Sequence, residues 1–211
     1  MEAARNRRPV PLGRRRRVLR ELARIFSTIC NPFLTALALF VVVAHVSARS
    51  LPDFWGLLAS TTFFTSIGPM LYVLWLYWTE RIADLDMSER GERERVFGVF
   101  VVFYALGTLV LYLAHAPALA TASLAGYTAA AIVVQNITRY WKISTHALGI
   151  TAPFVVLIYL YGWQPLPFAV LVPIVCWSRV YLRAHTVAQV LAGTALGAGS
   201  VLLFFHVFRL I

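Results

Sequence analysis

The stretch Trp177–Gly193 reads WSRVYLRAHTVAQVLAG. It ends one apolar run and begins the next. Between the two it holds Arg179, Arg183 and His185, with Gln189 four positions further on. Short basic junctions between long apolar runs mark a polytopic membrane protein, whose loops collect the charges that hydrocarbon excludes.

The rest of the chain agrees. Of 211 residues, 60% are hydrophobic and only 13% are charged, where a soluble domain carries about 25% charged residues. The mean hydropathy is +0.73. The formal charge of +10 does not point to nucleic acid, because of where it sits. Nine arginines crowd into residues 1–24 and most of the others lie between apolar runs. That distribution fits membrane orientation and contact with anionic lipid.

Residues 1–31 read as a basic arm and 32–211 as the transmembrane domain. Within the arm, Arg14 to Phe26 has the pattern of an interfacial helix, with Val18, Leu19, Leu22 and Ile25 on its apolar side. No small-residue cleavage pattern ends the apolar run that follows, so no cleaved leader is expected. Apolar segments run at about 32–48, 57–78, 96–113, 118–137, 144–162, 165–182 and 186–208. A helix of roughly 20 residues crosses the hydrocarbon with its backbone paired internally. The expectation is an all-α bundle of six or seven transmembrane helices. The weakest segments are 118–137, rich in alanine, and 165–182, which holds Pro165, Pro167 and Pro173.

Alternating crossings place the arm and the junctions at 79–95, 138–143 and 178–185 on one face. Seventeen of the nineteen Lys and Arg fall there, leaving Arg49 and Arg209 for the other. The basic face is expected in the cytoplasm of a prokaryotic cell membrane.

Three stretches on that face carry chemistry. His185 and Gln189 share a helix face, so the amide can fix the imidazole tautomer. Arg179 can reach back over the same place, and a guanidinium holds a phosphate with two parallel hydrogen bonds. In RYWKISTHALG, Arg139 to Gly149, the residues Ser144, Thr145 and His146 open a helix. Its first N–H groups favour an anion, with Arg139 and Lys142 just before it. In ERIADLDMSERGERERV, Glu80 to Val96, Arg90 and Arg93 stand three apart among acids. This stretch reads either as a solvated salt-bridged loop or as a rim whose arginines reach the pocket. An acidic metal site there lacks the required repeated spacing.

His45, His115 and His206 stand alone near helix ends on the opposite face and read as interfacial or packed. Gly193 and Gly197, among small residues, read as a close helix contact that mounts His185 rigidly. Cys30 and Cys176 offer neither a metal spacing nor a disulfide framework.

The octet SRVYLRAH, Ser178 to His185, resembles the Ser-Arg, five residues, His signature of the type 2 phosphatidic acid phosphatase (PAP2) superfamily. Ile143-Ser144-Thr145-His146 is similar to that group's Pro-Ser-Gly-His motif. The resemblance covers about residues 118–208. It implies a helical PAP2-like core with His185 as nucleophile, His146 as acid for the leaving group, and Arg179 and Ser144 on the phosphate. Gln189 stands where the family usually has an aspartate. The family's first motif is absent in its usual form, so Arg90 and Arg93, or Arg139 and Lys142, would supply its cations.

The resemblance therefore implies a membrane phosphatase acting on a lipid phosphate or isoprenoid diphosphate through a phosphohistidine; Thr145, in the first turn of the helix that Ser144 opens, is also expected near the phosphate. No metal or other cofactor is expected. The alternatives are a lipid phosphotransferase, if an alcohol replaces water, and a non-catalytic membrane protein that binds anionic lipid. A transporter fits less well, since no charges line a path across the whole bilayer. The expected partners are the membrane-borne substrate and anionic lipids near the arm, with no nucleic acid; an oligomer is compatible with the sequence.

Overall fold

The computed structural model describes residues 13–85 and 89–211, and of Arg90 only the backbone. Residues 1–12 of the basic arm, and Asp86 in the charged loop, lie outside the described residues. Among the described residues all regular structure is helical. The α-helices are α1 (Arg14–Ile29), α2 (Pro32–Ser47), α3 (Leu51–Thr62), α4 (Gly68–Trp78), α5 (Arg90–Leu113), α6 (Ala118–Thr138), α7 (Thr145–Tyr161), α8 (Leu171–Tyr181) and α9 (Val187–Val207).

Each of the seven apolar segments is helical, and local chemistry sets where the helices start and break. Asn31 caps α2, its side-chain oxygen accepting the N–H groups of Phe33 and Leu34 at 2.9 and 3.0 Å, with Pro32 as first residue. Between α3 and α4 a π-helical turn, Phe63–Ile67, precedes Pro69. Proline lacks an N–H and its ring crowds the carbonyl four residues earlier, and the wider turn accommodates that. Thr61 and Thr65 donate their hydroxyls back to Leu57 and Thr61 carbonyls, both at 2.7 Å. In the proline-rich segment a 3₁₀ turn, Leu166–Val170, leads into α8. Pro165 stands just before that turn and Pro173 in the first turn of α8, where a missing N–H costs no intrahelical bond.

Among the described residues, four helical stretches are long and apolar enough to cross a membrane: Leu51–Trp78, Gly91–Leu113, Ala118–Thr138 and Val187–Val207. A fifth is added if α1 and α2, bent by 47°, count as one span. The expected six or seven would require shorter helices to cross as well. Thr145–Tyr161 and Leu166–Tyr181 are apolar but fall in the 10–17 residue class, short of the roughly 20 residues that span the hydrocarbon. The protein is all-helical and compatible with integral membrane insertion.

The alanine-rich α6, weak as a sequence signal, is the most enclosed of the spans, with 61% of its apolar window buried. Its small side chains let α5, α2 and α9 approach it together. A close contact joins α7 and α9. A Cβ on Gly197 would lie 2.7 Å from the Leu148 carbonyl oxygen, and one on Gly193 would overlap the Ser144 carbonyl oxygen. Only glycine permits that approach. Because Ser144 opens α7 and Gly193 lies near the start of α9, this contact fixes the two histidine-bearing junctions against each other.

The helical half of the arm is not detached. α1 packs along α8, burying Ala23, Ser27 and Cys30, and a second stripe of Val18, Leu22, Ile25 and Ile29 is exposed.

Candidate functional site

His185 and Arg179 are set by the end of α8. Arg183 adopts a left-handed conformation, φ 57°. The Arg183 N–H donates to the Val180 carbonyl at 2.9 Å and the Ala184 N–H to the Arg179 carbonyl at 3.0 Å. These two bonds form a Schellman motif, with arginine where glycine is usual. The His185 N–H also donates to the Arg179 carbonyl, at 3.2 Å. The residue carrying the guanidinium thus holds the backbone of the residue carrying the imidazole.

The start of α9 sets the ring. Thr186 and Gln189 form a capping box: the Gln189 N–H donates to Thr186 Oγ1 at 3.3 Å and the Thr186 N–H to Gln189 Oε1 at 3.0 Å. Gln189 Oε1 also lies 3.2 Å from His185 Nδ1. An oxygen that accepts a backbone N–H must be the carbonyl end of the amide, so Nδ1 is the protonated ring nitrogen facing it. In the neutral ring the lone pair then belongs to Nε2.

The second junction is tied to the third through the backbone, the Ser144 N–H donating to the Gln189 carbonyl at 3.2 Å. Ser144 is fully buried and its hydroxyl caps α7, accepting the Ala147 N–H at 3.4 Å. One step further, Thr145 and His146 reach a cavity of about 460 Å³.

That cavity collects the sequence candidates selectively. His146, His185, Arg179, Lys142, Thr145 and Arg93 line it. Ser144, Gln189 and Arg139 are not among its lining residues; Ser144 and Gln189 act behind it as caps, and Arg139 is exposed. Arg90 stands at the first turn of α5, and its side chain lies outside the described residues. The 79–95 stretch contributes Leu85 as well as Arg93 to the lining, in keeping with the rim reading. Glu92 pins this loop by accepting the Ala83 N–H at 2.8 Å.

The contribution of α1 was not foreseen. Arg24 and Ser27 of α1 also line the cavity, and Arg179 Nη1 donates to Ser27 Oγ at 2.7 Å. Arg179 is 3% exposed and Ser27 7%, so this bond is shielded from water. The only sequence signal was the serine interrupting an otherwise apolar face. Away from the cations the lining turns apolar and aromatic, with Met70, Val73, Phe97, Phe100, Tyr104 and Tyr127. The Tyr127 hydroxyl there is buried with no hydrogen-bond partner among the described residues.

Four cationic side chains, two imidazoles and an aromatic far end make an amphipathic chamber, suited to an anionic headgroup joined to an apolar tail. Among the described residues no group of three or more His, Cys, Asp or Glu could hold a metal ion. No protein-family model, curated protein or solved structure matches the chain.

Proposed function

We propose that this protein is a membrane phosphatase of PAP2-like chemistry that hydrolyses a lipid phosphate or isoprenoid diphosphate. One observation carries the reading. His146, His185, Arg179 and Lys142, from separate chain junctions, line the same cavity, and its other end is apolar.

The phosphoryl oxygens sit against Arg179, Lys142, Arg93 and the first turn of α7, and the tail lies along Phe97, Phe100 and Tyr104. Fixed donors of this kind favour the charge of the transferring group. His185 Nε2 attacks phosphorus, the bond to the leaving oxygen breaks, and His146 as imidazolium gives that oxygen its proton. Water then attacks the phosphohistidine while neutral His146 takes its proton. The N–P bond breaks, inorganic phosphate departs and both rings return to their starting states. Gln189 holds the ring of His185 but, being neutral, offsets less imidazolium charge than an aspartate would. That neutral amide favours the second reading, a non-catalytic protein that binds anionic lipid headgroups.

In the proposed topology all seven apolar segments cross the bilayer, those at 32–48, 144–162 and 165–182, whose helices are short, with the help of local thinning. The cavity mouth and α1 then lie at the cytoplasmic face, where the arginines of α1 meet anionic lipid.

The test is release of inorganic phosphate from phosphatidic acid and a polyprenyl diphosphate in detergent. His185→Ala and Arg179→Ala are expected to abolish release while the protein stays folded. Release by His185→Ala at the wild-type rate would remove the nucleophile assignment. No release from any such substrate by the wild type, with headgroup binding retained, would favour the binding protein.

A further inference from the structure

The N-terminal helix divides its surface three ways. Ala23, Ser27 and Cys30 are buried on the side that packs along α8. Val18, Leu22, Ile25 and Ile29 form an exposed apolar stripe. Arg17, Arg20, Glu21 and Arg24 make up the third face. A serine on the buried face needs a partner, and its partner is the guanidinium of Arg179, 152 residues away in sequence. One turn earlier, Arg24 lines the same cavity. Its side chain is 53% exposed and pairs with Glu21 at 3.0 Å, a contact worth little in water and easily exchanged for an anionic ligand.

We propose that α1 is part of the phosphate site, with Ser27 the positioning residue that aims the Arg179 guanidinium into the cavity. This rests on the reading of Arg179 as a phosphate ligand. Arginine has several rotatable bonds, and holding its planar fork in one orientation is what makes it a specific phosphate ligand. A shielded hydroxyl on Nη1 selects the rotamer before the ligand arrives, so less ordering is left to the binding step. Arg24, on the same helix, adds a second guanidinium at the mouth.

The experiment is calorimetric titration of the detergent-solubilised full chain with inorganic phosphate. Wild type is compared with Ser27→Ala, Ser27→Thr, Arg24→Gln and Arg179→Ala. Loss of a hydrogen bond to a charged group corresponds to about tenfold weaker binding for Ser27→Ala. Ser27→Thr keeps the hydroxyl and is expected to bind within about twofold of wild type on the same argument. Equal losses in both Ser27 variants would mean that packing alone is at stake and would overturn the positioning role. Wild-type affinity in Ser27→Ala, with binding lost in Arg179→Ala, overturns the role of Ser27 and leaves the phosphate reading standing. Wild-type affinity in Arg179→Ala overturns the phosphate reading itself. Should Ser27→Ala not fold, Arg24→Gln, changed only at an exposed side chain, decides: weaker binding supports the contribution of α1, and unchanged binding overturns it.

Discussion

Gln189 Oε1 stands 3.2 Å from His185 Nδ1 while also accepting the Thr186 N–H at 3.0 Å. One amide oxygen closes the cap of α9 and holds the imidazole. The two roles separate by substitution. Gln189→Ala loses both, at a cost of about 1 kcal/mol in stability for the broken cap. Its phosphate release should fall by about tenfold or more, since the ring loses its anchor. Gln189→Glu keeps the length and the cap and adds a negative charge beside the ring, so release is expected to hold or rise. Melting temperature and phosphate release measure the two effects; a large loss of release in a folded Gln189→Glu chain would mean that the neutral amide is required.

The glycines of α9 give an internally controlled stability prediction. Gly193→Ala and Gly197→Ala force a methyl group onto backbone carbonyls of α7, and overpacking of this kind costs about 1–3 kcal/mol. Gly199, on the same helix, has open space where a Cβ would go, so Gly199→Ala should be neutral or stabilising by up to ~1 kcal/mol. Thermal unfolding in detergent ranks the three. Because the contact between α7 and α9 sets His146 of α7 against His185 just before α9, the first two should also lower phosphate release.

Lys142 and Arg139 lie three residues apart in one basic junction, but only Lys142 lines the cavity. Lys142→Ala is expected to raise KM for the lipid phosphate by about tenfold, the size of a lost charged contact. Arg139→Ala should stay within about twofold, as exposed charges contribute little. Steady-state kinetics of the pair tests whether the cavity, and not the net charge of the junction, binds the headgroup.

Tyr127 keeps a buried hydroxyl with no hydrogen-bond partner among the described residues, at the aromatic end of the chamber. Tyr127→Phe removes the group and its desolvation cost while leaving the ring against Phe40 and Tyr104. Stability should rise by up to about 1–2 kcal/mol. A drop in melting temperature would show that the hydroxyl has a partner in the membrane-embedded protein.

Much of the architecture was legible because hydrophobic length and charge placement are one-dimensional signals. The apolar segments became helices, and the contact of His185 with Gln189 was read from their four-residue spacing; the structure has that contact but places His185 just before Thr186, the N-cap of α9, so the capping-box geometry and not a shared helix face makes it. The span count is less legible, because apolar composition extends past helix ends: 144–162 and 165–182 read as crossings, yet the helices within them are shorter than the usual span, and their crossing belongs to the proposed topology. Contacts between distant segments were also hidden. Ser27 meets Arg179 only because α1 packs along α8, which no local pattern encodes. Ser144 was expected both to cap a helix and to meet the phosphate; its hydroxyl caps α7 by accepting the Ala147 N–H, and it is not among the residues that line the cavity.

The central claim is that an imidazole of this chamber bonds covalently to phosphorus. Brief incubation with a lipid phosphate labelled in its phosphoryl group, followed by alkaline quenching, should leave a base-stable, acid-labile phosphohistidine on the wild-type protein. Peptide mapping should locate it at His185, and His185→Ala should carry none. Wild-type protein that releases phosphate while never acquiring label, or label that persists in His185→Ala, would contradict the account.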